Sequence, residues 1–448
     1  MSLFSRRLKY VTCRTWDATA DRFAWPELHD QELKQPGLAA RPNTGLAFSG
    51  GGNRSASATL GQLRALTGLL LLPRVRYISC VSGGAWACAP FTWLPETLTD
   101  ETFLGPGLGP AQLTPEALRV TAPNSLAHAI ANSVLLDDFL KSALWLAGDE
   151  TFSRAIGRLY LDAFGISSME RFFSLHEAAI QAILGRNPAM RRDDFTAARR
   201  DRPFLIVGAT ILRTDNPPPK PQKIHFESTP LYVGAKALHP DAGSNGRPIG
   251  GGYVEPFGFD SDAPEAPPGA KGAVSVRLGA GRYRYTLSDA LGASSAAPAQ
   301  TLGRLGLDFV GFPEFKVWPL ANIGKVRARE YEFGDGGDLE NLGIMPLLAR
   351  RVERIVVFVN TKDALLVQGG RVNINDSIPP LFGRTPGFML NHVFPEAQYM
   401  PLVEGLWANR QAGRSVLFRD RYPVRDNPHY GIEGGWEAEV LWVYNERV

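Results

Sequence analysis

The run Gly50-Gly51-Gly52, set between Leu46-Ala47-Phe48-Ser49 and an Ala/Leu-rich stretch, most constrains what this chain can fold into. The four residues before it are apolar and short, the pattern of a buried strand. From Ala56 to Leu72 the leucines Leu60, Leu63, Leu66 and Leu70 recur at helical spacing. The order is therefore strand, glycine turn, helix. That geometry leaves unpaired N–H groups at the positive end of a helix, a site for a phosphate or for the oxyanion of a tetrahedral intermediate. A glycine turn that serves backbone geometry alone would read the same way. Asn53-Arg54-Ser55 follows with no lysine, so the run is neither a P-loop nor a dinucleotide fingerprint. Arg54 carries a fixed fork of donors that suits a phosphate or braces the loop, and a solvated arginine at a helix start is the simpler alternative.

Two further segments carry the same logic. Val75-Arg76-Tyr77-Ile78-Ser79-Cys80-Val81 is β-rich and runs into Ser82-Gly83-Gly84, after which Ala85-Trp86-Ala87-Cys88-Ala89 begins a helix. A serine nucleophile on a tight strand-to-helix turn needs small residues two positions either side, usually as G-x-S-x-G. Here Cys80 stands at the first glycine position and Gly84 at the last. Ser82 is thus a candidate nucleophile, against the reading of an ordinary turn serine, with Ser79 as its rival. Farther on, a short strand ends near Asp335 and Gly336-Gly337 turn the chain away. A helix is expected at Ile344 to Arg350 and a buried strand at Arg354 to Val359. An acidic residue at a strand's carboxyl end is where open α/β sheets place their chemistry. Asp-Gly is also a common turn pair, and Asp338 is the rival acid.

In this combination and order the chain resembles the patatin-like and cytosolic phospholipase A2 superfamily of lipid acyl hydrolases. Ser49-Gly50-Gly51-Gly52-Asn53-Arg54 is similar to that family's S-G-G-G-x-R loop, and Ser82-Gly83-Gly84 to its nucleophile turn without the first glycine. Asp335-Gly336-Gly337, with Asn341 and Pro346 downstream, resembles its acidic segment, and Ala293-Ser294-Ser295-Ala296-Ala297-Pro298 its small-residue segment. The matched motifs span residues 44–360. The resemblance implies a three-layer α/β fold with a central, mostly parallel sheet flanked by helices, plus a helical insertion. It implies a Ser–Asp dyad in which Asp335 accepts the Ser82 proton and Ser82 attacks a fatty-acyl ester of a glycerophospholipid or lysophospholipid. Gly50, Gly51 and Gly52 would form the oxyanion hole, Gly83 and Gly84 the elbow, and Arg54 would hold the phosphate or brace the loop. The substrate would be met at a phospholipid membrane surface, with a protein activator left open. A neutral-lipid or small-ester hydrolase with the same dyad, and an inactive lipid-binding protein, are the alternatives. A carboxylate of ordinary pKa near about 4 is a poor base for a serine hydroxyl, so Asp335 is expected to be shielded from water and close to Ser82.

The remaining sequence narrows the classes. A net charge of +3 over 448 residues, with no concentrated basic run, gives no case for nucleic acid. Cys13, Cys80 and Cys88 form neither a disulfide framework nor a metal set. No His-x-x-x-His or Cys-x-x-Cys spacing occurs, so no metal or cofactor is expected. Of seven histidines, His392 and His429 follow Asp335 in the order of a Ser-Asp-His triad, but both are read as structural. There is no signal-peptide pattern and no apolar run of about 18 residues. A cytoplasmic protein with peripheral membrane contact is expected, with export without a cleaved signal left open.

A single catalytic domain over 1–448 is expected, with 1–40 as an irregular lead-in and 111–200 as a mostly helical insertion, a cap or plain packing. Leu135 to Leu146 and Phe152 to Phe164 are its amphipathic runs. Pro203 to Gly208 and Val440 to Tyr444 read as strands, Pro217-Pro218-Pro219 with Pro221 as a stiff loop, and 239–272 as a long irregular excursion. Ile378 to Phe382, with Phe388-Met389-Leu390, is either core or a membrane-facing loop.

Overall fold

The computed structural model describes residues 9–20, 22–112, 114, 116, 117, 120–131, 151–213, 222–240, 248–279, 285–296, 313–320, 323, 324, 326–385 and 390–446. Its strands are β1 (Tyr10–Asp17), β2 (Thr44–Phe48), β3 (Tyr77–Val81), β4 (Phe172–Ser174), β5 (Phe195–Ala197), β6 (Phe204–Arg213), β7 (Gln222–Ser228), β8 (Val233–His239) and β9 (Ile249–Val254). They continue with β10 (Ala273–Arg277), β11 (Glu314–Val317), β12 (Arg329–Asp335), β13 (Arg354–Asn360), β14 (Leu366–Gln368), β15 (Arg371–Asn373), β16 (Leu417–Val424) and β17 (Trp436–Asn445). Among these, β2, β3, β6, β13 and β17 lie where the apolar runs place them.

Thirteen strands form one sheet, in the order β10-β1-β9-β8-β7-β6-β3-β2-β13-β17-β16, with β12 added on β6 and β11 on β12. The sheet is mixed, which corrects the expectation of a mostly parallel one. Only the run β6-β3-β2-β13-β17 is parallel. For the antiparallel pairs β7-β8 and β8-β9 the cause is loop length. Four residues separate Ser228 from Val233 and nine separate His239 from Ile249, too few for the crossover that a parallel pair requires. Two regions read as irregular also join the sheet. In the lead-in, β1 lies between β10 and β9. Its sequence Tyr-Val-Thr-Cys-Arg-Thr-Trp is rich in β-branched and aromatic residues. Inside the 239–272 excursion, β9 pairs with both β8 and β1.

The parallel strands β2, β3 and β6 are buried on both faces, as residue alternation shows. Leu46, Phe48, Ile78, Cys80, Leu205 and Val207 belong to one apolar core, while Ala47, Tyr77, Phe204 and Ile206 belong to the other. The Gly52–Gly68, Gly83–Thr92 and Leu287–Ser295 helices contribute to the first core, and Met345–Ala349 and Tyr399–Gln411 to the second. Of the 111–200 segment, the described helices Thr151–Tyr160 and Glu177–Arg186 accompany the small β4–β5 pair. Its run Leu135 to Leu146 lies outside the described residues, as do Pro217 to Pro219, Pro221, Ala297, Pro298, Phe388 and Met389. Ile378, Leu381 and Phe382 are buried in a short 3-10 turn, which makes them core.

A buried charge cluster fastens the N-terminal segment to the sheet. The Arg350 guanidinium donates to Glu27 at 3.2 Å, to Glu227 at 2.7 Å and to the Tyr232 hydroxyl at 2.9 Å, and it stacks 3.8 Å from the Trp25 ring centre. Removing one partner of such a group leaves uncompensated buried charge. Arg350→Met is expected to lower unfolding stability by about 3–5 kcal/mol, measured by urea denaturation. A loss below about 1 kcal/mol, the scale of an exposed ion pair, would contradict this role.

Candidate active site

The site is built on the length of β6. Its first half pairs with β3, in parallel, as far as Val81↔Gly208. Its second half pairs with β12, antiparallel, beginning at Asp335↔Ala209. Two strands therefore approach each other along β6, and their carboxyl ends meet at consecutive residues of it. Both chains must leave the sheet at that point. Gly336 permits the close approach: a Cβ there would stand 2.5 Å from the Gly208 carbonyl oxygen and 2.9 Å from Val81 Cγ1.

Ser82 follows β3 directly and holds φ 50°, ψ −122°, a strained conformation for a residue with a side chain. Its Oγ donates to Asp335 Oδ2 at 2.9 Å across 253 residues of sequence. Its N–H donates to Ser294 Oγ at 2.9 Å, and that hydroxyl donates onward to the Gly208 carbonyl at 2.7 Å. Asp335 is held from its own side. Its Oδ1 accepts the Gly337 N–H at 2.7 Å, and its carbonyl accepts the Thr210 hydroxyl at 2.9 Å. Burial pushes the Asp335 carboxyl up to about 7, against the opposing pull of the Gly337 N–H and the Ser82 hydroxyl, with the charge of Asp338 adding to the rise.

Gly83 and Gly84 begin the helix after Ser82 and press on the glycine loop. A Cβ on Gly83 would lie 2.1 Å from the Gly52 carbonyl oxygen, and one on Gly84 2.7 Å from that of Phe48. Cys80 fits because its side chain points into the buried sheet face, its Sγ 3.5 Å from the Ile206 carbonyl. The three expected loop glycines differ in their hydrogen bonding. The Gly50 N–H is already given to the Asn341 carbonyl at 2.9 Å, so Gly50 has no donor left for a ligand. Among the described residues, the N–H groups of Gly51 and Gly52 meet no acceptor. Gly51 has φ 137°, and a Cβ there would sit 2.6 Å from Arg54 Nη2. Arg54 thus folds back over the loop.

The rivals separate cleanly. Ser79 Oγ is buried inside β3 with no hydrogen-bond partner among the described residues, and the hydroxyl of Ser82 bonds to Asp335 rather than Asp338. Among the described residues no histidine bonds to either Ser82 or Asp335. His392 Nε2 contacts the Phe394 carbonyl, while burial holds His225 and His429 down at about 4 and His239 at about 3. Ser294 and Asn341 hold the site without a predicted role. Their only sequence signal is position within the small-residue and acidic segments, because each acts through a partner remote in sequence. The same applies to Tyr160, which stacks on Trp86 at 4.4 Å and donates to Asn53 beside the loop.

Two cavities flank Asn341. One, of about 170 Å³, is lined by Gly50, Arg54, Asn341 and the polar residues after β13. The other, of about 350 Å³, reaches Gly337 and has the mixed walls of Leu339, Val372, Ile374, Pro380 and Tyr399. Among the described residues no group of three or more His, Cys, Asp or Glu side chains is arranged to hold a metal ion.

No protein-family model and no curated protein sequence matches the chain. Among solved structures it is similar to human GIVD cytosolic phospholipase A2, at 14% identity and a TM-score of 0.40, covering 95% of this chain and 52% of that one. It is likewise similar to the same human enzyme in complex with methyl gamma-linolenyl fluorophosphonate inhibitor and terbium chloride, at 16% identity and a TM-score of 0.37, covering 95% and 50%. The chain spans about half the length of these structures.

The burial of Asp335 has a consequence for stability. An ordinary aspartate releases its proton near 3.8, and this one near about 7. Stability carried by the neutral form is complete below the lower value and is lost as pH rises through the higher one. Asp335→Asn, which cannot ionise, should therefore gain on wild type by about 2–3 kcal/mol between about pH 5 and about pH 8.5. Denaturation at the two pH values measures it. A difference that does not change with pH would contradict the burial of the charge.

Proposed function

We propose that the protein is a serine acyl hydrolase that cleaves fatty-acyl esters of glycerophospholipids or lysophospholipids. One observation carries the reading: the Ser82 hydroxyl, on a strained turn, donates at 2.9 Å to a buried carboxylate, beside two backbone N–H groups without acceptors. In the reaction, the Asp335 carboxylate takes the proton as Ser82 Oγ adds to the ester carbonyl. The N–H groups of Gly51 and Gly52 stabilise the oxyanion that forms. Collapse expels the alcohol, which leaves with the proton from Asp335, and the acyl group stays on Ser82. Water, deprotonated by Asp335, then releases the fatty acid and restores the hydroxyl. A base that titrates near 7 suits this work better than an ordinary aspartate.

Arg54 supports the phospholipid assignment. Its guanidinium lies over Gly51 and lines the polar cavity, and there it would hold a phosphate oxygen while fixing the loop. The lipid would be met at a membrane surface, and no helix among the described residues is long and apolar enough to cross a membrane.

Release of free fatty acid from mixed phospholipid vesicles tests the reading. Ser82→Ala and Asp335→Asn are each expected to reduce the rate by at least about 10³-fold with the fold intact by circular dichroism. Activity that survives either change would remove that residue from the mechanism. The wild-type rate should rise with pH through a midpoint near about 7, because the ionised carboxylate is the working form. A flat profile between about pH 5 and about pH 8 would count against Asp335 as the base.

A further inference from the structure

One buried carboxyl beside the site has no part in the reaction described above. Glu340 follows Asp335 on the same segment and is enclosed by the protein. Its Oε1 accepts the Leu342 N–H at 2.7 Å, and its Oε2 meets no hydrogen-bond partner among the described residues. No ion pair answers it there either. Burial pushes the carboxyl up to about 7, against the pull of the backbone N–H groups of Leu342, Met345, Gly343 and Ile344. An apolar side chain of the same size would avoid the cost of burying that unpartnered oxygen.

What the carboxyl does is close the turn that carries Asn341. The bond from Leu342 to Glu340 encloses Asn341 between its two anchored neighbours. Asn341 in turn touches both halves of the site. Its carbonyl accepts the Gly50 N–H at 2.9 Å. Its Oδ1 is wedged between the glycine loop and the acidic turn: a Cβ on Gly50 would stand 2.2 Å from it, and one on Gly337 2.5 Å. The neighbouring ties hold the ends of this turn. Before it, the N–H groups of Leu339 and Glu340 donate to the Gly336 carbonyl at 3.2 and 2.9 Å, and the Leu339 carbonyl accepts the Asn391 amide at 2.6 Å. After it, Gly343 holds φ 76° against β3, where a Cβ would stand 3.1 Å from the Ser79 carbonyl oxygen.

We propose that Glu340 is a positioning residue for the oxyanion loop: by closing the 340–342 turn it fixes Asn341, and through Asn341 the Gly50 N–H, so that the N–H groups of Gly51 and Gly52 are held toward the ester. The proposal rests on the acyl-hydrolase reading of Ser82 and adds a residue to it. Glu340 acts on the loop and not on the proton of Ser82. Among the described residues no hydrogen bond joins its carboxyl to Asp335, and the neighbouring charge that raises Asp335 is that of Asp338.

Two variants of the full chain separate this role from plain packing. Glu340→Met fills a similar volume without an acceptor for the Leu342 N–H, and Glu340→Gln keeps the acceptor without the charge. Circular dichroism checks that both fold. Hydrogen exchange read by mass spectrometry on peptides that contain Gly50 follows the loop without turnover. Glu340→Met is expected to speed exchange at the Gly50 amide by about tenfold, with Glu340→Gln close to wild type. In fatty-acid release, Glu340→Met should lower kcat by about 10²-fold with KM little changed, the cost of a misplacement of about 1 Å, and Glu340→Gln should recover most of the rate. The midpoint of the pH profile near about 7 should stay in both variants, because Asp335 remains the base. The exchange result needs no catalysis, so a failure of the hydrolase reading would appear in fatty-acid release alone. Unchanged exchange at Gly50 in Glu340→Met would overturn the proposal. A loss of rate in Glu340→Gln as large as in Glu340→Met, or a shifted pH midpoint, would do so as well, because the role would then lie in the charge and not in the turn.

Discussion

The site depends on one constraint, the end-to-end meeting of β3 and β12 along β6. A strand of ten residues offers one edge to two partners in turn. Because β3 runs parallel to it and β12 antiparallel, both partners present their carboxyl ends at the junction. Ser82 and Asp335 are the residues at those two ends. Their 2.9 Å contact is therefore set by hydrogen-bond register, and a slip of one residue in either strand would turn the side chain to the opposite face. The Ser294 bridge from the Ser82 N–H to the Gly208 carbonyl ties the strained turn to the same point of β6.

Around this junction the structure accepts unfavourable terms. Ser82 is strained, Asp335 is buried close to Asp338, and two N–H groups of the glycine loop lack acceptors. Each costs on the order of 1–3 kcal/mol, and such costs persist only where the surroundings over-determine the geometry. Here they do so through close backbone contact, with Gly83 and Gly84 against the loop and Gly336 against Gly208. The apolar cores on both sheet faces and the Arg350 cluster supply the compensating stability elsewhere. Local strain, a carboxyl that titrates near 7 and unsatisfied donors converge on one spot, and that convergence points to chemistry rather than packing.

Much of the site was legible because its requirements are local. Only glycine meets the φ of Gly51 and the contacts of Gly83, and a serine before paired glycines marks a turn. The five parallel-run strands were legible as short apolar or β-rich runs. What stayed hidden depends on remote partners. The role of Ser294 exists only through a contact across 212 residues, and the Gly50 N–H is taken by Asn341, which no loop pattern reveals. The lead-in strand β1 and the excursion strand β9 are stabilised by each other and by β10 and β8, so neither stands out alone. The antiparallel run β7-β8-β9 followed from short loops, and the motifs specified neither it nor the remote pairing of β12 with β6. Of the histidines, His392 and His429 had a triad's chain order, and only burial and partners remove them.

The central claim is that Ser82 is a nucleophile activated by Asp335 alone. Labelling with a fluorophosphonate, followed by peptide mass spectrometry, reads this directly. The account predicts a single adduct on Ser82, formed faster as pH rises through about 7 and slowed by at least about 10²-fold in Asp335→Asn. An adduct on another serine, or undiminished labelling of Ser82 in Asp335→Asn, would contradict it.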